Sequence, residues 1–354
     1  MLMTDAALPI ASATENVFLD TEAFVGAGYN YESKRLVALR DLAKQGRVGV
    51  FITDVTIREI RAGLRDAIEQ AAAVRPPSIL NNSQLPEIRS RLTRFDPVAV
   101  EDELAGQLSS FVAASQMTVL AVENDALPVV LDKYFDRRPP FGAGRNKAEF
   151  PDALAIEAIL TWCSSHDAVM AVVSRDAGVQ ACCSDSGPLR GFPELSAFLD
   201  AVASEDEVLS SFVRDSLESI SDDIDGAALE ALDGVSFYLL DEDGEVDRVE
   251  DVRVEWQDSA EIISLTPALA TIEFPALFTF TVLGTYYDLG SGMYDREGGV
   301  HMFRDAIDGP FPSSFERRVA VDIELRDGGL HVQSAEIQGS SLIGLQVHDP
   351  DPWD

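Results

Sequence analysis

What most constrains this chain is how its apolar residues are grouped. Up to about residue 200 they fall in short unbroken runs, at Val17–Leu19, Val48–Ile52 and Val169–Val173, separated by stretches with helical spacing such as Leu36, Leu39 and Leu42. A continuous, β-branched-rich run marks a strand buried on both faces, as in a parallel sheet covered by helices, whereas one-sided strands alternate apolar with polar residues. Strands alternating with helices specify βαβ units. From Ser204 to Asp233 the chain is acidic with a helical pattern, and beyond it the period becomes two, in Val235–Leu240, Val252–Trp256, Leu277–Tyr287, Val319–Leu325 and Leu330–Ile337. Turn sequences, Glu242-Asp243-Gly244 and Asp327-Gly328-Gly329, punctuate these runs. The expected architecture is a Rossmann-type parallel α/β sheet flanked by helices over 1–200, an acidic helical connector over 201–233, and an antiparallel β-rich (α+β) domain over 234–354.

Composition narrows the function classes. A chain of 354 residues fits two domains better than one. A mean hydropathy of +0.03 supplies apolar material for cores, and no run reaches the length of a membrane span. The opening MLMTDAALPIASAT lacks a basic n-region, so no signal peptide is expected. Cys163, Cys182 and Cys183 form neither an even disulfide framework nor a metal-ligand spacing, which fits reduced thiols in a cytoplasmic protein. Four scattered histidines argue against a zinc site. The formal charge of −34 is unevenly spread: 19 basic against 27 acidic residues up to Asp200, a net of −8, then 8 against 34, a net of −26. The second half is expected to repel nucleic acid and anionic membrane alike. A polyanion would be met by the first half, which leaves a protein as the partner expected for the acidic C-terminal domain.

The candidate chemistry lies at the strand ends. Asn16–Phe24, NVFLDTEAF, carries Asp20 just past the first strand, and ligands of open α/β sheets bind beyond the carboxyl ends of the strands. Glu59 falls in the helix after the second strand, Asp152 opens the helix that Pro151 begins, and Asp176 follows the Val169–Val173 strand. Right-handed crossovers bring all four to one sheet edge. Carboxylates gathered there repel one another unless a cation sits among them, and hard oxygen ligands suit Mg²⁺ or Mn²⁺. Each acid also has a purely structural reading: Glu59 in a capping box with Thr56, Asp176 as a helix N-cap, Asp152 at the positive end of a helix dipole.

VFLDTEAF, ITDVTIREI, KAEFPDALAI and VVSRDAG, spanning roughly Asn16 to Phe198, resemble the PIN domain, the metal-dependent nuclease fold of many ribonucleases and toxins. That resemblance implies an acidic tetrad of Asp20, Glu59, Asp152 and Asp176, with Ser174 as the hydroxyl residue before the last acid and Thr21 beside the first. PPFGAGRNKAEFPDA further resembles a bacterial PIN-like group with a β-rich C-terminal domain of unknown role. The sequence departs from the family where Glu22 replaces a small polar residue, as an extra ligand or a surface acid. Glu22, Asp54 and Glu149 are candidates for supporting the tetrad from behind.

The loop DRRPPFGAGRNKAEF supplies a second feature. Arg137, Arg138, Arg145 and Lys147 cluster near Tyr134, Phe135 and Phe141, pairing phosphate-binding cations with rings that stack on unpaired bases. Equally, it reads as a surface loop whose arginines pair with local acids. FGAGRNK lacks the Gly-Lys-Ser/Thr ending of a P-loop. The expected function is a Mg²⁺/Mn²⁺-dependent nuclease that hydrolyses RNA in preference to DNA. Two alternatives stand beside it: a haloacid dehalogenase-like phosphohydrolase, which lacks its second Asp here, and a non-catalytic PIN-like binding module.

Overall fold

The computed structural model describes residues 15–73, 96–123, 125–142, 147–185, 187–240, 243–256, 259–287, 293–295, 300–302, 306–339 and 341–345. The chain divides into two compact units, Met1–Val202 and Ala203–Asp354.

In the first unit five strands form one wholly parallel sheet: β1 (Asn16–Leu19), β2 (Gly49–Thr53), β3 (Thr118–Leu120), β4 (Met170–Val173) and β5 (Leu189–Phe192). Their order is β3-β2-β1-β4-β5, so the chain leaves β1 toward one side and later returns to its other side. Sheets of this kind commonly bind ligands at such a reversal, here beyond the carboxyl ends of β1 and β4. The apolar runs lie where their composition predicts, with Val17, Leu19, Ile52, Met170, Ala171 and Val172 wholly buried.

Among the described residues of this unit, eight α-helices accompany the sheet: α1 (Thr21–Val25), α2 (Lys34–Lys44), α3 (Asp54–Ala73), α4 (Pro97–Ala114), α5 (Ala126–Asp136), α6 (Phe150–His166), α7 (Ala177–Asp185) and α8 (Leu195–Ala203), the last ending at the unit boundary. Their ends follow local chemistry. Gly46 adopts φ +69° just past α2, a left-handed stop that costs glycine no strain. Asp96 caps α4 by accepting from the N–H groups of Val98 and Ala99. On α3, Ile60, Leu64 and Ile68 recur every four residues and are buried. No helix among the described residues is long and apolar enough to cross a membrane.

The second unit is organised by β9 (Leu269–Tyr287), a 19-residue strand paired along one edge with β13 (Phe311–Arg326) and along the other with β7 (Asp243–Trp256) and β8 (Glu261–Leu265). β12 (Ala306–Asp308) and β14 (Gly329–Ile337) complete this antiparallel sheet, and β10 (Met293–Asp295) pairs with β11 (Val300–Met302). A small separate pair, β6 (Ser236–Leu239) with β15 (Leu342–Leu345), is parallel. Several strands run longer than their alternation indicates. β9 continues through Pro275, which lies where its edge partner changes from β7, ending opposite Ala276, to β8, starting opposite Glu273. The missing N–H therefore falls at a gap in the ladder. Asp243 and Gly244, read from sequence as turn residues, begin β7; a Cβ at Gly244 would come 2.3 Å from the Thr285 carbonyl, so glycine serves close strand approach. The Asp327-Gly328 turn has φ of +57° and +76°, the left-handed pair that suits a two-residue hairpin.

The acidic segment 201–233 supplies α9 (Glu207–Ser216) and α10 (Ser221–Glu230) to this second unit, with Val213, Ile220, Ile224 and Ala228 in its core beside Phe274, Phe278 and Val319. Trp256 stacks on Phe274 at 4.2 Å, and Phe278 on Phe315 at 4.8 Å.

Candidate metal centre

Parallel register puts Leu19 beside Val173, so the residues that follow them, Asp20 and Ser174, emerge together. Ser174 Oγ donates to Asp20 Oδ2 at 2.6 Å, and the Asp20 backbone N–H donates to the Val173 carbonyl at 3.2 Å. Asp20 Oδ1 accepts from the Thr21 N–H at 2.7 Å, which caps α1. Ser174, only 1% exposed, also accepts from the Asp176 N–H at 3.1 Å. Asp176 Oδ1 caps α7 through the Val179 N–H at 2.9 Å. The capping role foreseen for Asp176 thus coexists with its place at the sheet edge, because the cap engages only one carboxylate oxygen.

Glu59 arrives from α3. Thr53 caps that helix, accepting from the Thr56 N–H at 3.0 Å, and the two buried hydroxyls are bonded at 2.7 Å. Thr56 is thereby engaged, and the capping box foreseen as the structural alternative for Glu59 does not form. Glu59 Oε2 instead accepts from Thr21 Oγ1 at 3.1 Å, which links α3 to the first turn after β1. Asp54 serves elsewhere, accepting from the Val122 N–H at 3.3 Å and pairing with Arg58 at 3.0 Å.

Asp152, in the first turn of α6, joins these groups. Asp20, Glu59 and Asp152 each offer a carboxylate oxygen within 4.8 Å of the other two, and so do Glu149, Asp152 and Asp176. Asp152 belongs to both triads. Among the described residues no lysine or arginine reaches ion-pair distance of Asp20, Glu59, Asp152 or Asp176, and the Asp152 carboxylate has no hydrogen-bond donor.

The electrostatic consequence is large. Burial, and then the charges of Asp20, Glu59, Asp176 and Glu149, push Asp152 up to about 8. Burial also raises Asp20, against the opposing pull of the Ser174 and Thr21 hydrogen bonds, and the Asp176 charge adds to the rise. Glu59 is raised by burial and by Asp20, with Thr21 opposing. Carboxylates held together with no internal cation are stable in ionised form only with a counter-charge. An all-oxygen donor set with both triads meeting at one residue fits Mg²⁺ or Mn²⁺.

The neighbouring residues sort differently from their sequence reading. Glu22 lies outside both triads and faces Arg175 at 3.8 Å, while Arg175 also pairs with Glu194 at 2.8 Å. Arg137 ends α5 in a left-handed conformation, φ +59°, and Arg138 pairs with Asp136 at 3.2 Å. Arg145 and the side chain of Lys147 lie outside the described residues. Phe141, foreseen as a base-stacking ring, is 1% exposed and belongs to a core cluster with Val130 and Ala153; burial between α5 and α6 removes it from any ligand. Pro140, beside these arginines, lies against the turn that follows Asp176: a Cβ on Gly178 would come 2.7 Å from the Pro140 carbonyl. Glycine there lets the loop backbone seat against the first turn of α7.

Glu149 and Gln180 carry more than their sequence context announces. Gln180 Nε2 donates to the carbonyls of Ser174, at 2.6 Å, and Phe192, at 3.1 Å, and so fastens the ends of β4 and β5. Glu149 precedes Asp152 by three residues, a spacing that brings two acids to one helix face. The stretch KAEFPDA therefore held the signal.

No curated protein and no solved structure matches the chain. A family model described as PIN domain matches residues 17–178, a span that contains all five clustered acids. The PIN domain is a nuclease-type fold that generally works with divalent metal. Over residues 17–178, rather less than half of its length, the chain matches the PIN domain family.

Proposed function

We propose that the protein is a Mg²⁺- or Mn²⁺-dependent endoribonuclease whose hydrolytic centre is Asp20, Glu59, Asp152 and Asp176, with Glu149 as a further donor. One observation supports the reading: Asp152 is common to two triads of carboxylates whose oxygens lie within 4.8 Å of one another. Divalent metal, when bound, supplies Lewis-acid charge to the phosphodiester and lowers the pKa of water. The chain's own residues hold and orient the donors. Ser174 fixes the rotamer of Asp20, Thr21 that of Glu59, and Gln180 the backbone from which Ser174 projects. Arg137, Arg138, Arg145 and Lys147, from the stretch of sequence between α5 and α6, bind the substrate backbone by paired donors and charge. RNA is favoured as substrate by the family resemblance, and the acidic second unit is assigned a protein partner on its charge.

The test uses the full chain with defined single-stranded RNA and DNA oligomers, in Mn²⁺ and in chelator. RNA cleavage in Mn²⁺ alone, lost in Asp152→Asn without loss of melting temperature, is the expected result. Unchanged cleavage by that variant refutes the assignment. Calorimetry that finds no Mn²⁺ binding to wild-type protein favours a non-catalytic module instead.

A further inference from the structure

We infer that the first unit holds a nucleobase subsite beside the acids, in the cleft between the loop Tyr29–Glu32 and α4. This rests on the nuclease reading and adds what the substrate strand does next to the hydrolytic centre. The cleft has a volume of about 650 Å³, the size of a small-molecule site. Its walls are of two kinds. One is aromatic, from Tyr29 and Tyr31. The other is a polar stripe on α4, Glu103, Gln107 and Ser110, which recur at helical spacing on one face. Of the apolar residues of α4, Leu108 and Phe111 are buried, and Phe111 also lines the cleft.

Tyr29 is held where a stacking ring would be needed. It adopts φ +56°, directly after Gly28 at +61°, a conformation uncommon for a bulky side chain. The loop is pinned by the Tyr29 N–H to the Phe24 carbonyl at 2.9 Å and by the Asn30 N–H to the Ala27 carbonyl at 3.0 Å. The Tyr29 hydroxyl rests over α3 at Gly63, where a Cβ would lie 2.9 Å from it. Gly63 is four residues beyond Glu59, one helical turn or about 6 Å along the axis. The hydroxyl of Tyr29, a residue that lines the cleft, therefore sits about one turn along α3 from Glu59.

Its polar groups favour a base over a phosphate. The guanidinium of Arg40 is engaged by both oxygens of Glu32, at 2.8 and 3.2 Å, and Glu103 adds a second carboxylate. A negative ligand is repelled by that balance. A base presents the N–H and carbonyl groups that Glu103, Gln107, Ser110 and Asn30 complement, together with a face for the tyrosine ring. The Tyr31 hydroxyl, on a residue 7% exposed, has no hydrogen-bond partner among the described residues.

The test separates this subsite from catalysis. Single-stranded RNA 12-mers, intact or carrying consecutive abasic positions, are titrated by fluorescence anisotropy against full-length Asp152→Asn protein, alone and combined with Tyr29→Ala or Tyr29→Phe. The abasic strand keeps its phosphates. The expected result is about tenfold weaker binding of the abasic strand, a discrimination abolished by Tyr29→Ala and kept by Tyr29→Phe, with melting temperatures unchanged. Equal discrimination with and without the Tyr29 ring overturns the subsite, as does equal binding of both strands or no RNA binding at all. The nuclease reading stands or falls separately, on RNA cleavage by the wild-type chain in Mn²⁺.

Discussion

Ser174 donates a 2.6 Å hydrogen bond to Asp20 across two adjacent parallel strands, joining residues 154 positions apart in the chain. The contact sits at the reversal of strand order, so one buried hydroxyl orients the first acid of the centre and, through the Asp176 N–H, the turn that carries the last.

Ser174→Ala removes both contacts while leaving the strand apolar. Loss of a hydrogen bond to a charged group costs about 1.5–3 kcal/mol of stability, and loss of an orienting partner lowers metal affinity about 10- to 100-fold. Denaturant unfolding and Mn²⁺ calorimetry read the two effects. Undiminished Mn²⁺ affinity in the variant shows that Asp20 is positioned without Ser174.

The Asp152 carboxyl makes the metal-free protein sensitive to pH. Its folded value is pushed up to about 8 against an ordinary 3.8, so over that interval the folded protein keeps a proton that the unfolded chain has released. The stability this confers is fully present below the ordinary value and is lost as pH rises through about 8. In chelator, wild-type melting temperature is expected to fall from pH 4 to pH 8 more steeply than that of Asp152→Asn. Added Mn²⁺ should restore the wild type at the alkaline end, since metal bound only to the folded state stabilises it. Parallel profiles for the two proteins count against the shared-carboxylate arrangement.

In the second unit Arg318 bridges Glu261 and Glu273, the latter with its side chain fully buried. Arg318→Met leaves Glu273 as a buried charge without this partner, and breaking one side of such a pair costs about 3–5 kcal/mol. The double variant with Glu273→Leu should recover part of that loss. Thermal melts of the single and double variants measure it, and a single variant as stable as wild type refutes the structural role of the bridge.

Residue patterns alone determined much of the first unit. Val17–Leu19 and Val169–Val173 read as buried parallel strands because an uninterrupted apolar run has only one economical place in such a sheet. The positions of Asp20 and Asp176 just past strands, of Asp152 in the first turn of a helix and of Glu59 about one turn into another were legible in local order along the chain, and the structure brings these candidates together. Asp327-Gly328 announced its hairpin through residues that tolerate positive φ. Tertiary structure decided what local order cannot encode. That Thr21 rather than Thr56 meets Glu59, that Glu149 approaches Asp152 and Asp176, and that Phe141 is core all depend on how α3, α5 and α6 pack around the sheet. The full length of β9 through Pro275 likewise depends on partners on both edges. Periodicity reports which face of an element is buried; distances of a few ångströms between side chains from different elements arise only when those faces meet.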